Sequence, residues 1–138
     1  MKTLLTTAAL LALAAPAFAE GDTGGDPAKG EKEFRKCKAC HMIVDDEGET
    51  IVRGGRTGPN LYGVIGRTAG SVEDFRYGPG LEAAAEDEFT WTEEEVAVYV
   101  ADPSAWLEDQ GYPKRSKMTF KLRKGGEDVA AYLASVAE

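Results

Sequence analysis

The chain has 138 residues with 24 acids, 16 bases and one histidine, a net charge of −8. So acidic a balance argues against nucleic acid as a partner, and the length admits one small domain rather than several. The 43% hydrophobic content is modest for a small self-sufficient core.

Residues 1–19 read as an export signal. Lys2 supplies the positive start, Leu4–Ala15 an apolar run, and Ala17-Phe18-Ala19 the small-x-small cleavage site. The run is too short for the ~20 apolar residues of a membrane span. Cleavage after Ala19 predicts an exported, periplasmic protein, with residues 20–138 as a single domain. Glu20–Gly25 is a polar, Gly-rich lead-in. Asp26-Pro27 then starts a helix, with Asp capping the free amides and Pro suiting the first helical position. The expected helix runs to about Lys38 and delivers Cys37 and Cys40 at its end. Gly30 and Phe34 lie four apart on one face, and a mid-helix glycine suggests close approach by another element.

Next stands Cys37-Lys38-Ala39-Cys40-His41, the attachment sequence for a c-type haem. Two thiols on one turn can each add to a vinyl group of the same porphyrin, and the adjacent imidazole can then bind iron from one face. Other readings fit less well. A structural zinc site wants four nitrogen or sulfur ligands, and the chain's two cysteines and one histidine make three. A thioredoxin-like pair needs a βαβ frame that is absent here. With His41 the lone histidine, a bis-histidine iron is impossible within the chain. The sixth ligand is methionine, lysine, a weak oxygen donor or nothing. Met1 lies in the leader and Met42 is tethered beside His41. Met118 remains, and although a methionine is ordinarily core filler, beside a haem it is the expected distal ligand of a low-spin carrier.

Met42–Tyr62 has turn formers and little periodicity and reads as a long loop with a short strand pair at Thr50–Val52. Leu61, Val64 and Ile65 mark a short apolar helical face after the Gly58-Pro59 turn. Phe75–Leu81, with Gly78-Pro79-Gly80, reads as another turn-rich segment. Thr92 and Glu95 form a capping box with Trp91 and Val96 as staple. The helix they open carries Val96, Tyr99 and Val100 on its apolar face, and Pro103 ends it. Asp102-Pro103 repeats the cap-then-Pro device before Trp106 and Leu107. Tyr112–Lys124 is irregular. The last helix is expected at about Glu127–Ala137, with acids in its first turn and Val129, Leu133 and Val136 on its apolar face, Tyr132 alongside.

These segments together resemble the class I c-type cytochromes, nearest the bacterial cytochrome c2 group. The resemblance runs from about Gly25 to Glu138 through Cys37–His41, Thr57–Leu61, Gly66–Gly70, Phe89–Glu94, Lys117–Phe120 and Gly125–Ser135. It implies an all-α fold with crossed amino- and carboxy-terminal helices, short helices and long loops around one covalent haem. Gly30 and Phe34 would then meet Val129 and Tyr132 at the crossing. It implies His41 and Met118 as iron ligands and Cys37 and Cys40 as thioether anchors. The Pro59 carbonyl would accept the His41 imidazole N–H, Arg67, Tyr77 and Trp91 would hold a buried haem propionate, and Tyr99 would lie near the Met118 sulfur. Leu81 replaces a polar residue of many relatives, and Ser116 stands near a family threonine that touches a propionate.

The implied function is a monomeric one-electron carrier, not an enzyme. The partners implied are a cytochrome bc1 complex as donor and a photosynthetic reaction centre or terminal oxidase as acceptor. Lys114, Arg115, Lys117, Lys121, Arg123 and Lys124 bracket Met118, and Lys36 and Lys38 flank Cys37, so a basic rim on an acidic protein is expected to steer it onto acidic partners. The competing function is a haem enzyme or gas binder with an open sixth iron position. It lacks a second histidine for distal acid–base work.

Overall fold

The computed structural model describes residues 23–138, so the export signal expected at 1–19 lies outside the described residues. The order is α1 (Pro27–Glu33), a 3-10 turn (Phe34–Lys36), β1 (Ile43–Val44), β2 (Thr50–Val52), α2 (Pro79–Glu86), α3 (Glu93–Ala101), α4 (Pro103–Asp109) and α5 (Gly126–Val136). Helices and long loops dominate, and β1 and β2 form a small antiparallel pair with Ile43 opposite Val52.

Asp26 caps α1 as expected, its Oδ1 accepting from the Ala28 amide at 2.9 Å. The helix does not persist to Lys38. It ends at Glu33, tightens through the 3-10 turn, and the cysteines follow on hydrogen-bonded turns. The Cys37 carbonyl accepts from the His41 amide at 2.9 Å and the Cys40 amide at 3.2 Å, so one turn still groups the motif. Phe34 opens the tighter turn and is almost wholly buried, which anchors the bend.

α1 lies against α5. Gly30 permits this approach, because a methyl there would fall onto the Asp128 carbonyl. Phe34 and Tyr132 pack with ring centroids 5.7 Å apart, and the Asp26 amide donates to Asp128 Oδ1 at 2.8 Å. This is the crossing of terminal helices that the resemblance implied.

α2 is a finding that corrects the turn-rich reading of Phe75–Leu81. Pro79 occupies its first turn and Gly80 and Ala84 are buried on its inner face. The Pro that suggested a turn instead begins a helix, since its fixed φ suits the first helical position. In α3, Thr92 Oγ1 accepts from the Glu95 amide at 3.1 Å. The Glu95 carboxylate, however, takes the Trp106 indole N–H at 2.6 Å, so tertiary contact claims the half of the box that local pattern assigned to the helix end. Asp102 caps α4 through the Ala105 amide at 3.1 Å. The buried side chains of all these elements form one cluster centred on Phe34, Trp91, Tyr99, Trp106, Val129 and Leu133.

Candidate haem site

A cavity of about 310 Å³ opens between the Cys37–His41 turn, the Thr57–Leu61 segment, α3, α5 and the irregular strand of chain through Met118. Its walls include all nine residues singled out from sequence: Cys37, Cys40, His41, Pro59, Arg67, Tyr77, Trp91, Tyr99 and Met118. Leu61, Val64, Leu81, Val96, Val129 and Leu133 make the remaining lining largely apolar.

One wall holds the histidine. His41 Nδ1 lies 2.8 Å from the Pro59 carbonyl oxygen and donates to it, because a carbonyl only accepts. Nε2 is therefore the nitrogen left with a lone pair. Burial holds the imidazole pKa below its ordinary value, which favours the neutral form a metal needs, although the Pro59 hydrogen bond opposes this and Arg67 adds to it. The Gly58 amide donates to the Cys40 carbonyl at 2.7 Å. A methyl on Gly58 would fall onto the imidazole ring, so glycine is what lets the backbone close over His41. Asn60 ties this segment to β1, with its Oδ1 accepting from the Val44 amide at 3.0 Å and its Nδ2 donating to the Val44 carbonyl at 2.7 Å. The Cys37 thiol is pushed up to about 11, first by burial and then by Glu33 and Cys40.

A second wall gathers Arg67, Tyr77 and Trp91. The Gly66–Ala69 segment pairs with Phe89–Trp91 through backbone bonds, among them the Gly66 amide to the Trp91 carbonyl at 2.7 Å and the Trp91 amide to the Arg67 carbonyl at 2.9 Å. Arg67 Nη1 donates to the Asn60 and Tyr62 carbonyls at 3.1 Å each, which positions the guanidinium. Burial lowers the Arg67 pKa and Tyr77 opposes that shift, an environment in which a buried carboxylate would be welcome. Trp91 lines the cavity on the same side.

On the third wall, the Tyr99 hydroxyl and Ser116 Oγ lie 3.1 Å apart. The same Ser116 oxygen accepts from the Met118 amide at 3.1 Å. Burial raises the Tyr99 pKa, against the Ser116 hydrogen bond. Tyr99 is thus linked to the Met118 segment through Ser116, whose part in holding that segment the motif reading missed. The resemblance set Ser116 near a family threonine that touches a propionate and gave no sign of these bonds to Tyr99 and Met118. Gly58 and Asn60 lay inside a quoted motif, yet nothing in their residue types announced the contacts they make.

The donor set fits a c-type haem: two thiols on one turn, a neutral imidazole with a fixed tautomer, a thioether in the same cavity, apolar walls, and cationic and N–H donors for a carboxylate. Among the described residues no helix is long and apolar enough to cross a membrane, and no group of three or more His, Cys, Asp or Glu side chains forms a separate metal cluster.

Fold and site together define a class I c-type cytochrome. No protein-family model matches the chain. It is 56% identical over 142 residues to cytochrome c2 of Rhodobacter capsulatus, covering 100% of both chains. It is 50% identical over 137 residues to cytochrome c-550 of Paracoccus denitrificans, covering 95% of this chain and 85% of that one. The solved structure of Rhodobacter capsulatus cytochrome c2 matches with a TM-score of 0.80 at 55% identity, covering 83% of this chain and 100% of that chain. The chain belongs to the cytochrome c2 family. It is an electron-transfer protein rather than an enzyme, and its cofactor is one covalent haem c.

Proposed function

We propose that His41 and Met118 bind the haem iron, that Cys37 and Cys40 carry the thioether bonds, and that residues 20–138 form one exported, periplasmic domain released by cleavage after Ala19. The observation that carries the ligand assignment is the His41–Pro59 hydrogen bond, which leaves Nε2 as the free lone pair in a cavity that Met118 also lines. The haem supplies a one-electron Fe(II)/Fe(III) couple.

The chain's own residues keep that couple from needing rearrangement. Pro59 and Gly58 hold the imidazole in one orientation. Ser116 anchors the Met118 amide, so the thioether stays in place. Held by His41 and Met118, the iron would stay low-spin in both oxidation states, and methionine would favour the ferrous form relative to a second histidine. Arg67, Tyr77 and Trp91 support the reading of a buried propionate, whose charge they would compensate. No residue in the cavity is asked to move a proton.

Docking is proposed to use the basic rim, with a cytochrome bc1 complex as donor and a photosynthetic reaction centre or terminal oxidase as acceptor. Lys36, Lys38, Lys114, Arg115, Lys117, Lys121, Arg123 and Lys124 are all exposed, and Lys36, Arg115 and Lys117 edge the cavity itself. The rim is less bare than its sequence suggests. Lys36 pairs with Glu33, Lys114 with Glu108 and Lys121 with Asp102, at 2.6, 2.8 and 2.9 Å. Such exposed pairs exchange readily, so the cations stay available to a partner's carboxylates.

The test is the optical spectrum of purified holoprotein, ferric and then ferrous, beside Met118→Ala. A low-spin ferric spectrum with the methionine–iron charge-transfer band, lost in the variant, is expected. A high-spin wild type that binds carbon monoxide at once would refute Met118 ligation and reopen the gas-binding alternative.

A further inference from the structure

Aromatic side chains lead out of the haem cavity to the protein surface. Trp91 lines the cavity and packs against Trp106 with ring centroids 4.9 Å apart. Trp106 is 2% exposed and does not touch the cavity. Its indole N–H donates to Glu95 Oε2 at 2.6 Å. Tyr112 lies 6.2 Å beyond Trp106, half-buried, and its hydroxyl donates to Asp87 Oδ2 at 3.0 Å near the surface. Electron carriage through the haem edge uses none of Trp106, Tyr112, Glu95 or Asp87.

We propose that Trp91, Trp106 and Tyr112 form an escape route that carries oxidising equivalents from the haem to the surface when the protein meets hydrogen peroxide. The proposal rests on the haem occupying the cavity described above. Indole and phenol are among the most easily oxidised side chains. Tunnelling slows steeply with distance, so two hops between rings in contact outrun one long transfer. The Glu95 carboxylate beside the Trp106 ring favours the positive charge of the one-electron-oxidised indole. At the end of the chain, an oxidised phenol must lose its proton, and Asp87 stands within hydrogen-bond reach to take it.

Electrons and atoms balance as follows. Peroxide takes up two electrons and two protons and gives two waters. A ferrous haem held in the cavity would supply one of these electrons from its Fe(II)/Fe(III) couple. Tyr112 supplies the other through Trp106 and Trp91, becoming a neutral phenoxyl radical. Its proton passes to Asp87 and serves as one of the two consumed, and solvent supplies the second.

The two tyrosines that line the cavity are worse end points, although they are closer. Tyr99 lies 5.0 Å from Trp91, but its hydroxyl meets the Ser116 hydroxyl, which is a poor base. The Tyr77 oxygen accepts from the Val72 amide, and no carboxylate faces it among the bonds it makes. Only Tyr112 couples a ring in the chain to a carboxylate acceptor and to the surface, where a solution reductant can quench it. The benefit is protection of the oxidisable Met118 thioether.

The test treats ferrous holoprotein with hydrogen peroxide after its optical spectrum has recorded that haem is bound, which separates failure of this route from failure of the site. Freeze-quenched electron paramagnetic resonance and peptide mapping of dityrosine cross-links are the readouts. Wild type should give a tyrosyl radical and dimers joined through Tyr112. Tyr112→Phe should lose those dimers and show faster haem bleaching and more Met118 sulfoxide. Asp87→Asn should slow radical formation with the rings intact. Trp106→Phe should lose the dimers with Tyr112 still present, and if that core change impairs folding, the two surface variants decide. Cross-links through another tyrosine, no tyrosyl radical in wild type, or equal bleaching in wild type and Tyr112→Phe would overturn the proposal.

Discussion

Ser116 shows how much one hydroxyl can organise. It meets the Tyr99 phenol and accepts the Met118 amide, each at 3.1 Å, so it joins α3 to the segment that presents the thioether. Replacing it with alanine leaves two partly buried polar groups short of a partner. Ser116→Ala should cost about 1–3 kcal/mol. The loss should be local, with faster hydrogen exchange at the Met118 amide and unchanged exchange in α1 and α5. Uniform exchange, or none gained at Met118, would show that the hydroxyl is dispensable. At this scale the thiols, imidazole and thioether that the structure brings into one cavity were readable, because such groups have few other reasons to stand in that order. Ser116, Gly58 and Asn60 were not, because a serine, a glycine and an asparagine in a loop have many.

At the scale of elements, caps were the dependable signal. Asp26, Thr92 and Asp102 each accept the amide expected of them. Asp102 does more, pairing with Lys121 at 2.9 Å and so fastening the start of α4 to the chain just past Met118. The Lys121 hydrogen bond, followed by that of the Ala105 amide, holds its carboxyl below the ordinary 3.8. A depressed folded-state pKa means that the stabilisation is complete above the ordinary value and is lost as pH falls through the lower folded value. Asp102→Asn keeps an oxygen for the cap but no charge to titrate. Urea midpoints followed into acid should therefore fall less steeply in the variant than in wild type. Parallel curves would mean that the pair with Lys121 contributes nothing. Helix ends set by packing were less readable. α1 stops at Glu33 rather than near Lys38 because Phe34 turns into the core, and α2 was hidden behind a Gly-Pro-Gly run whose proline opens a helix.

For the whole molecule, the relevant fact is an acidic protein with three exposed bases at the edge of the cavity. The net charge is −8, yet Lys36, Arg115 and Lys117 border the cavity. Electrostatic steering then predicts association with an acidic redox partner that slows by about tenfold or more as salt rises, since screening acts on exposed charges. Charge reversal at Arg115 and Arg123 should flatten that dependence in stopped-flow electron transfer and leave the optical spectrum unchanged. A rate that rises with salt would place docking on an acidic face instead.

The sequence by itself determined the cofactor, the family and the starts of α1, α3 and α4, because the attachment motif and end-capping are set by neighbours along the chain. Only the tertiary structure decided which group completes each contact. Gly30 meets the Asp128 carbonyl, Glu95 leaves its own helix end for the Trp106 indole, and Ser116 joins Tyr99 to Met118. The physical reason is distance along the chain. These partners come together only after α1, α3 and α5 have packed, and local pattern carries no record of what lies across an interface.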